Sequence, residues 1–290
     1  MIHLAAANRA ETFERIVDPL EARGVCARHV PVTQRAIPLT GDDADLGAFD
    51  VGFVYPGRVM EGGVADALLS VPWLNGREAV LTSRNKAEVL ATLDRAGVAV
   101  PDTVMVSDPV DEADLRAVYD RFDPPVVIKP NSTTRGIGVA RVGDLDSFLG
   151  VCDYLDLVHD YRATGDKAFL VQEYLPDARD YRVMVLDGEY VGAVERRLRD
   201  DASGRWKHNV HRGAVAEGID APPEHRALAE RTADVLDVDF LGVDLLLADG
   251  RLVVNETNAR PTIDAATKYV DGFYDRLAAV IRRRAERQER

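Results

Sequence analysis

Gly242-Val243-Asp244 and Asn255-Glu256-Thr257-Asn258 enclose a short apolar segment near the end of the chain. Residues 245–247 and 252–254 are all leucine or valine, and an Asp249-Gly250 pair typical of a tight hairpin turn lies between them. The segment therefore predicts two buried antiparallel strands. Carboxylates and an amide beside such strands need an explanation, and a cation site offers one because Mg²⁺ prefers oxygen ligands.

The length of the hairpin loop decides whether these polar side chains can share an ion, because side chains alternate between the two faces of a strand. A two-residue turn at Asp249-Gly250 would place Asp244 opposite Asn255 and turn Glu256 to the other face. A three-residue loop over 248–250 would instead place Asp244, Glu256 and Asn258 on one face. The metal-site hypothesis thus predicts the odd loop. In the alternative, both carboxylates face water and Asn258 caps the next turn.

Composition limits the classes of protein to which the chain can belong. Its 290 residues are enough for two or three lobes with a hydrophobic core. The net charge of -13 at pH 7 disfavours a nucleic-acid partner, because such binding requires Lys and Arg to neutralise phosphates. No apolar run is long enough to cross a membrane and no signal-peptide pattern is present, so we expect a cytoplasmic protein without a membrane partner. The distant Cys26 and Cys152 predict neither a disulfide framework nor a thiolate zinc site.

Hydrophobic patterning predicts an α/β protein whose lobes include α+β parts. We predict an N-terminal α/β domain over residues 1–81, with strands at 3–7, 28–32 and 50–55 and a helix at 11–23. We predict a central lobe over 82–174, with a helix at 84–95 capped by Ser83, strands at 101–106, 126–129, 138–142 and 168–174, and helices at 111–122 and 145–158. We predict a C-terminal lobe over 175–290, with strands at 181–186 and 190–195, a helix at 222–236, the opening hairpin and a helix at 263–284.

A lysine at the end of an apolar strand, Lys129, precedes a small loop that contains Gly136 and Gly138. Backbone amides of such a loop can surround phosphoryl oxygens, and the ammonium adds a positive charge. The alternative is an ordinary hairpin turn with a lysine that reaches solvent. The loop matches neither the P-loop nor the dinucleotide-binding pattern, so it is weak evidence alone.

Gln172-Glu173-Tyr174 ends another buried strand, where two lobes are predicted to meet. Ligands favour such clefts, so the backbone there could bind an adenine edge while Glu173 binds ribose hydroxyls; a surface loop is the alternative. Further along, Arg182 and Arg212 could hold phosphate or a carboxylate in bidentate fashion. His208 and His211 lack a third zinc ligand nearby. No GxSxG or CxxC motif is present, so nothing supports a covalent hydrolase or a thiol oxidoreductase.

Taken in order, these motifs resemble the ATP-grasp superfamily, and most closely the RimK-type glutamate ligases. The resemblance covers about residues 82–264, and it rests on the order and spacing of the segments 83–86, 127–129, 134–139, 171–174, 180–182, 195–197, 209–213, 242–244 and 256–258. It implies the ATP-grasp fold, in which an N-terminal pre-ATP-grasp α/β domain precedes two ATP-grasp lobes that clamp a nucleotide.

The resemblance also implies roles for individual residues. The ATP site would contain Lys86, Lys129, Gly136, Gly138, Gln172, Glu173, Tyr174, Asp180, Arg182, Lys207, His208 and Asn209. The metal site, for magnesium with manganese as the alternative, would contain Asp244, Glu256 and Asn258. Lys129 and Arg212 would neutralise charge during catalysis. We expect Arg58 and Arg260 to hold a substrate carboxylate; Arg260 and Thr262 stand where the family commonly has a small residue and a glycine, so the family's acceptor is not carried over.

The implied reaction is carboxylate–amine ligation. ATP would phosphorylate a carboxylate to an acyl phosphate, and an amine would then displace phosphate to give an amide or peptide bond. The substrates would be a small-molecule carboxylate and an amino acid such as glutamate, with a protein acceptor and a homo-oligomer left open. Two alternatives are a nucleotide-binding sensor or scaffold that has lost ligase activity, and an ATP-dependent phosphotransferase.

Overall fold

The computed structural model describes residues 1–7, 11–40, 46–133, 136–158, 167–199, 206–207 and 213–286. Within these ranges the chain forms three β-sheets, of three, four and six strands, flanked by helices. No helix in the same ranges combines the length and the apolar character needed to cross a membrane.

A three-stranded parallel sheet forms the first part of the chain. It contains β1 (Ile2–Ala6), β2 (Val25–His29) and β3 (Val51–Phe53) in the order β2-β1-β3, and helix α1 (Glu11–Glu21) packs against β2. The strand predicted at 28–32 is displaced towards the C-terminus relative to β2. Val30 and Val32 are apolar and buried, as strand residues would be, but they lie beyond the end of β2.

Two helices that the sequence did not predict follow, α2 (Val59–Leu69) and α3 (Arg77–Arg84). Glycine in a helix interior is destabilising, so Gly62 and Gly63 make the sequence of α2 look unlike a helix. In the structure, a Cβ at Gly62 would lie 2.5 Å from the Tyr55 ring, so the glycine allows α2 to pack closely on that ring. Ser83, the predicted cap, lies inside α3. Asn85 instead caps helix α4 (Lys86–Arg95).

The central lobe contains a four-stranded antiparallel sheet in the order β4-β7-β5-β6. Its elements are β4 (Thr103–Ser107), α5 (Glu112–Tyr119), β5 (Val126–Pro130), β6 (Ala140–Val142), α6 (Leu145–Val158) and β7 (Ala168–Glu173). Side chains of β5 and β7 pack on Phe148 of α6 to form the core of this lobe. The elements predicted for this lobe are confirmed, with shifts of one to three residues at some ends.

The C-terminal lobe contains a six-stranded sheet in the order β10-β9-β8-β11-β12, with β13 paired to β9. Its elements are β8 (Arg179–Leu186), β9 (Glu189–Arg197), β10 (Val215–Ile219), α7 (Pro223–Leu236), β11 (Phe240–Ala248), β12 (Arg251–Asn258), β13 (Lys268–Tyr269) and α8 (Phe273–Glu286). The helix predicted at 263–284 is wrong over its first ten residues. Ile263 is buried outside any helix, and β13 and Gly272, which has a φ of +78°, precede α8.

The three parts share hydrophobic cores. Leu4 and Ile16 of the first part pack in one cluster with Phe240 and Leu277. Val89 and Leu93 of α4 pack in a second cluster with the strands of the C-terminal lobe. These shared cores join the first part and α4 to the C-terminal lobe, whereas the four-stranded sheet has a core of its own. The domain boundaries at 81/82 and 174/175 stay a prediction.

Candidate active site in the cleft between the lobes

A cavity of about 1270 Å³ lies where the three parts meet. Most predicted site residues line it, namely Lys86, Lys129, Gly136, Gln172, Glu173, Tyr174, Asp180, Arg182, Lys207, Asp244, Glu256, Asn258 and Arg260. Gly138 and Arg58 are not among its lining residues. Arg212, His208 and Asn209, together with His211, lie outside the described residues.

The hairpin at the centre of this cavity has a two-residue turn, so the predicted three-residue loop is wrong. Ala248 pairs with Arg251, and Asp249 and Gly250 both adopt left-handed conformations, which is typical of a type I′ turn. The register changes further along, where Leu245 pairs with Val254 but Asp244 pairs with Glu256.

Asn255 is therefore the extra residue of a β-bulge, and this bulge restores the geometry that the odd loop was expected to provide. Asp244 and Glu256 lie directly opposite each other, and Asn258, two residues further on, shares their face. The bulged Asn255 itself contacts the central lobe, because its Oδ1 accepts a hydrogen bond from Lys129 Nζ at 3.2 Å.

Two arginines hold the Asp244 carboxylate. Arg182 donates to it in bidentate fashion at 2.7 and 2.9 Å, and Arg196 Nη2 lies 3.0 Å from Oδ2. Burial alone would raise the pKa of Asp244, but the two guanidinium charges outweigh burial and lower it to about 2. Arg196 also binds Asp180. Arg182, expected at the cofactor, thus donates to Asp244 through Nε and Nη2, and its cofactor role stays a prediction.

The donor set at this face suits a hard cation. Among the described residues no three His, Cys, Asp or Glu side chains form a metal-binding group. Asp244, Glu256 and Asn258 offer two carboxylates and an amide, and Mg²⁺ commonly completes such a set with water and phosphate oxygens. The three arginine contacts leave one lone pair of the Asp244 carboxylate, on Oδ1, for a cation. Asn258 Oδ1 also accepts a hydrogen bond from the Arg260 backbone N–H at 2.9 Å, so the capping alternative is present too.

Two buried lysines flank the carboxylates. Lys86 Nζ lies 3.9 Å from Glu256 Oε1 and donates to the carbonyls of Asn131 and Thr133. Burial lowers the pKa of Lys129 to about 8, although the Glu256 charge partly opposes that shift. The Lys86 ammonium therefore lies beside the loop that leads to Gly136, and the Lys129 ammonium lies beside Asn255 of β12, as expected of cations that bind phosphate in this cleft.

At the predicted nucleoside end of the cleft, the polar side chains of β7 are bound to other protein residues. Glu173 binds Arg251 in bidentate fashion at 2.7 and 2.8 Å and accepts a hydrogen bond from the Asp102 backbone, so its carboxylate joins β7 to β12. Gln172 Nε2 donates to Thr103 Oγ1 at 2.8 Å. These contacts orient the strand end, and direct binding of ribose by Glu173 stays a prediction.

Sequence reasoning missed two residues at this end, Arg141 and Trp206. The Arg141 guanidinium lies 5.0 Å from the Tyr174 ring centre and 5.7 Å from that of Trp206, and both residues line the cavity. Lys207 donates to the Val139 carbonyl. Aromatic faces with a cation suit a planar base. Trp206 is one of only two tryptophans in the chain and precedes Lys207, which was the available signal.

The opposite end of the cavity contains arginines near the N-terminal domain. Arg58 is exposed and pairs with Glu61 at 3.2 Å, outside the cavity lining, so its role at a substrate carboxylate stays a prediction. Arg84 lines the cavity instead; it belongs to the segment 83–86 of the family resemblance, but the sequence alone predicts no role for it. Its Nη2 donates to the Gly57 carbonyl at 2.6 Å.

Comparison with known proteins gives consistent matches. A family model described as a RimK-like ATP-grasp domain matches residues 83–276. A "Probable alpha-L-glutamate ligase" of Enterobacter sp. is 30% identical over 91% of this chain and 85% of that protein. A "Ribosomal protein bS6--L-glutamate ligase" of Escherichia coli O139:H28 is 31% identical over 67% of this chain and 62% of that protein. A D-alanine–D-alanine ligase from Bacillus anthracis, solved with ATP, has a TM-score of 0.68 at 16% identity, over 99% of this chain and 98% of the other.

Proposed function

Because the chain belongs to the RimK-like ATP-grasp family of ATP-dependent carboxylate–amine ligases, we propose that it joins the amino group of glutamate, or of a similar amino acid, to a carboxylate through an acyl phosphate. The acceptor would be a small molecule or a protein, the latter as named for the relative from Escherichia coli. The resemblance inferred from the motifs and the ATP-grasp fold are confirmed.

The convergence of opposite charges in one cleft carries this proposal. Lys86 and Lys129 of α4 and β5 meet Glu256 of β12, and the bulge at Asn255 orients that strand so that Asp244 lies opposite Glu256. A solvated hairpin does not require buried lysines beside it. A site for a phosphate–magnesium complex does, because the transferred phosphoryl group and its cation need charges of both signs.

In the proposed site, ATP lies along the cleft. Tyr174, Trp206 and Arg141 face the base, and Lys86 and Lys129 hold the phosphates. Asp244, Glu256 and Asn258 would hold magnesium, which supplies charge neutralisation at the phosphates. Lys129 neutralises charge while a carboxylate oxygen bonds to the γ-phosphorus and ADP leaves. The amine nitrogen then bonds to the carbonyl carbon, phosphate leaves and the nitrogen loses a proton.

Release of ADP tests the proposal. The protein is incubated with Mg-ATP, glutamate and a fractionated pool of acceptors, and new amides are identified by mass spectrometry. We expect Lys129→Met to lower the rate by about 10²–10³-fold, as for loss of one preorganised charge at a reacting centre. Lys268→Met is the control, because Lys268 pairs with Asp220 on the surface. Mg-ATP binding without ADP formation in any pool would instead favour a sensor or scaffold, and a phosphorylated end product a phosphotransferase.

A further inference from the structure

Two guanidinium groups meet at the backbone of Gly57, on the side of the cleft formed by the N-terminal domain. Arg84 donates to the Gly57 carbonyl at 2.6 Å, and a Cβ built at Gly57 would lie 3.2 Å from Arg260 Nη1. Arg260 Nε donates to the Tyr55 carbonyl at 2.5 Å. Both arginines line the cavity, so both face the space that substrates occupy.

The Arg260 side chain has a different kind of partner from those of Arg182 and Arg196. Arg182 and Arg196 bind carboxylates, whereas the identified acceptor for the Arg260 side chain is a neutral carbonyl. The guanidinium of Arg84 lies at the same glycine, Gly57, as that of Arg260. Like charges in a partly desolvated position repel each other, so an anion bound beside them is stabilised.

The arginine pair is separate from the lysines that serve the phosphates. Arg84 and Lys86 flank Asn85, but Arg84 reaches Gly57 of the N-terminal domain while Lys86 reaches carbonyls of the central lobe. Arg260 lies two residues beyond Asn258, whose Oδ1 accepts from its backbone N–H. The pair therefore adjoins the proposed metal site from a different wall of the cavity than Lys86.

We propose that Arg84 and Arg260 form a subsite for a substrate carboxylate that is not the one activated by ATP. The inference rests on the proposed function, because it assigns a substrate class to the same cleft. A guanidinium presents parallel N–H donors that match a planar carboxylate. The carboxylate belongs either to the incoming amino acid or to a dicarboxylic acceptor, and the experiment distinguishes these two sources.

Saturation-transfer NMR on the full chain, with Mg²⁺ and a non-hydrolysable ATP analogue, tests the subsite. Three mixtures serve as probes: the twenty L-amino acids, the α-amides of those amino acids that lack a side-chain carboxylate, and dicarboxylic acids without an amine. We expect transfer to members of the first or third mixture and none to the amides. Arg84→Met and Arg260→Met should each weaken that binding by about 10- to 100-fold, as for a lost hydrogen bond to a charged group. Arg77→Met, an exposed arginine on α3, is the matched control and should leave it unchanged.

Several outcomes would overturn the subsite. Two concern the wild type: equal binding of acids and amides, or no transfer to any carboxylate. Two concern the variants: carboxylate binding as tight as in the wild type by both, or weakened binding of the ATP analogue only, which would assign the pair to phosphate. Arg260 also ties the C-terminal lobe to Tyr55, so the thermal midpoint of each variant is measured, and Arg84→Met decides where Arg260→Met unfolds. ADP formation is recorded separately, so failure of ligation leaves the binding result able to decide the subsite.

Discussion

Asp244→Asn removes one charge from the buried network at the centre of the cleft while it keeps the shape of the side chain. Asp244 is 7% exposed, and three contacts of 2.7–3.0 Å join it to Arg182 and Arg196. The variant would leave two guanidinium groups with less compensating charge, and removal of one partner of a buried ion pair typically costs about 3–5 kcal/mol. We therefore expect a loss of stability of several kcal/mol at pH 7.

The pKa of Asp244 gives a second measure of the same interaction. The arginines outweigh burial and lower it from 3.8 to about 2, and at about 1.4 kcal/mol per pKa unit this net shift corresponds to roughly 2–3 kcal/mol. Because the pKa is lower in the folded state, this contribution is present above pH 4 and is lost as the pH falls through about 2. The two ranges meet at about 3 kcal/mol near neutral pH.

Urea unfolding of the wild type and Asp244→Asn, at pH 7 and again near pH 3, measures the difference. The gap between the two proteins should be largest at pH 7 and should narrow on acidification. Asp94→Asn is the control, because Asp94 is exposed on α4 and surface changes of this kind shift stability by less than about 0.5 kcal/mol. Equal unfolding free energies at pH 7 would refute the assignment of Asp244 to a charge-paired network.

Three further predictions concern Arg251, Gly57 and His225. Arg251→Met should raise the KM for ATP more than it lowers kcat, because Arg251 holds Glu173 at the nucleoside end; steady-state kinetics with varied ATP checks this, and an unchanged KM contradicts it. Gly57→Ala should raise the KM of the carboxylate substrate by displacing Arg260, whose Nη1 would lie 3.2 Å from the new Cβ; inhibition by added dicarboxylate should weaken in parallel. Among the described residues neither ring nitrogen of the buried His225 has a hydrogen-bond partner, although Nδ1 lies 3.7 Å from Glu224 Oε1, and burial lowers the pKa of His225 from 6.5. The unfolded state therefore takes the proton first, and stability should fall as the pH drops below about 7; His225→Phe should remove that part of the slope in urea unfolding between pH 7.5 and 5.

Local patterns predicted most of the elements because the signals that define them are short-range. The Asp187-Gly188 turn joins β8 to β9, and helix α6 has the predicted bounds of 145–158. The missed helix α2 shows the limit of such signals. Gly62 counts against a helix locally, and its value appears only when the Tyr55 ring is packed against it.

The site was predictable in its residue types but less so in its pairings. A strand that ends in Lys129 and a hairpin with Asp244 and Glu256 are visible in the sequence. The partner of Glu173 is not, because Arg251 lies 78 residues away and only the packing of β7 near β12 brings the two together. The same holds for Arg84, whose role depends on where the loop at Gly57 passes.

The hairpin shows why counting loop residues was insufficient even though the shared face was predicted correctly. Parity along a ladder depends on the turn and on every irregularity between the turn and the residues of interest, and a bulge changes parity as effectively as a longer loop. Here the turn contributes two residues and Asn255 contributes the third. The position of that extra residue matters chemically, because it falls at Asn255, whose Oδ1 lies 3.2 Å from the Lys129 ammonium. One irregularity in β12 thus aligns the two carboxylates with each other and connects them to the lysine of the central lobe.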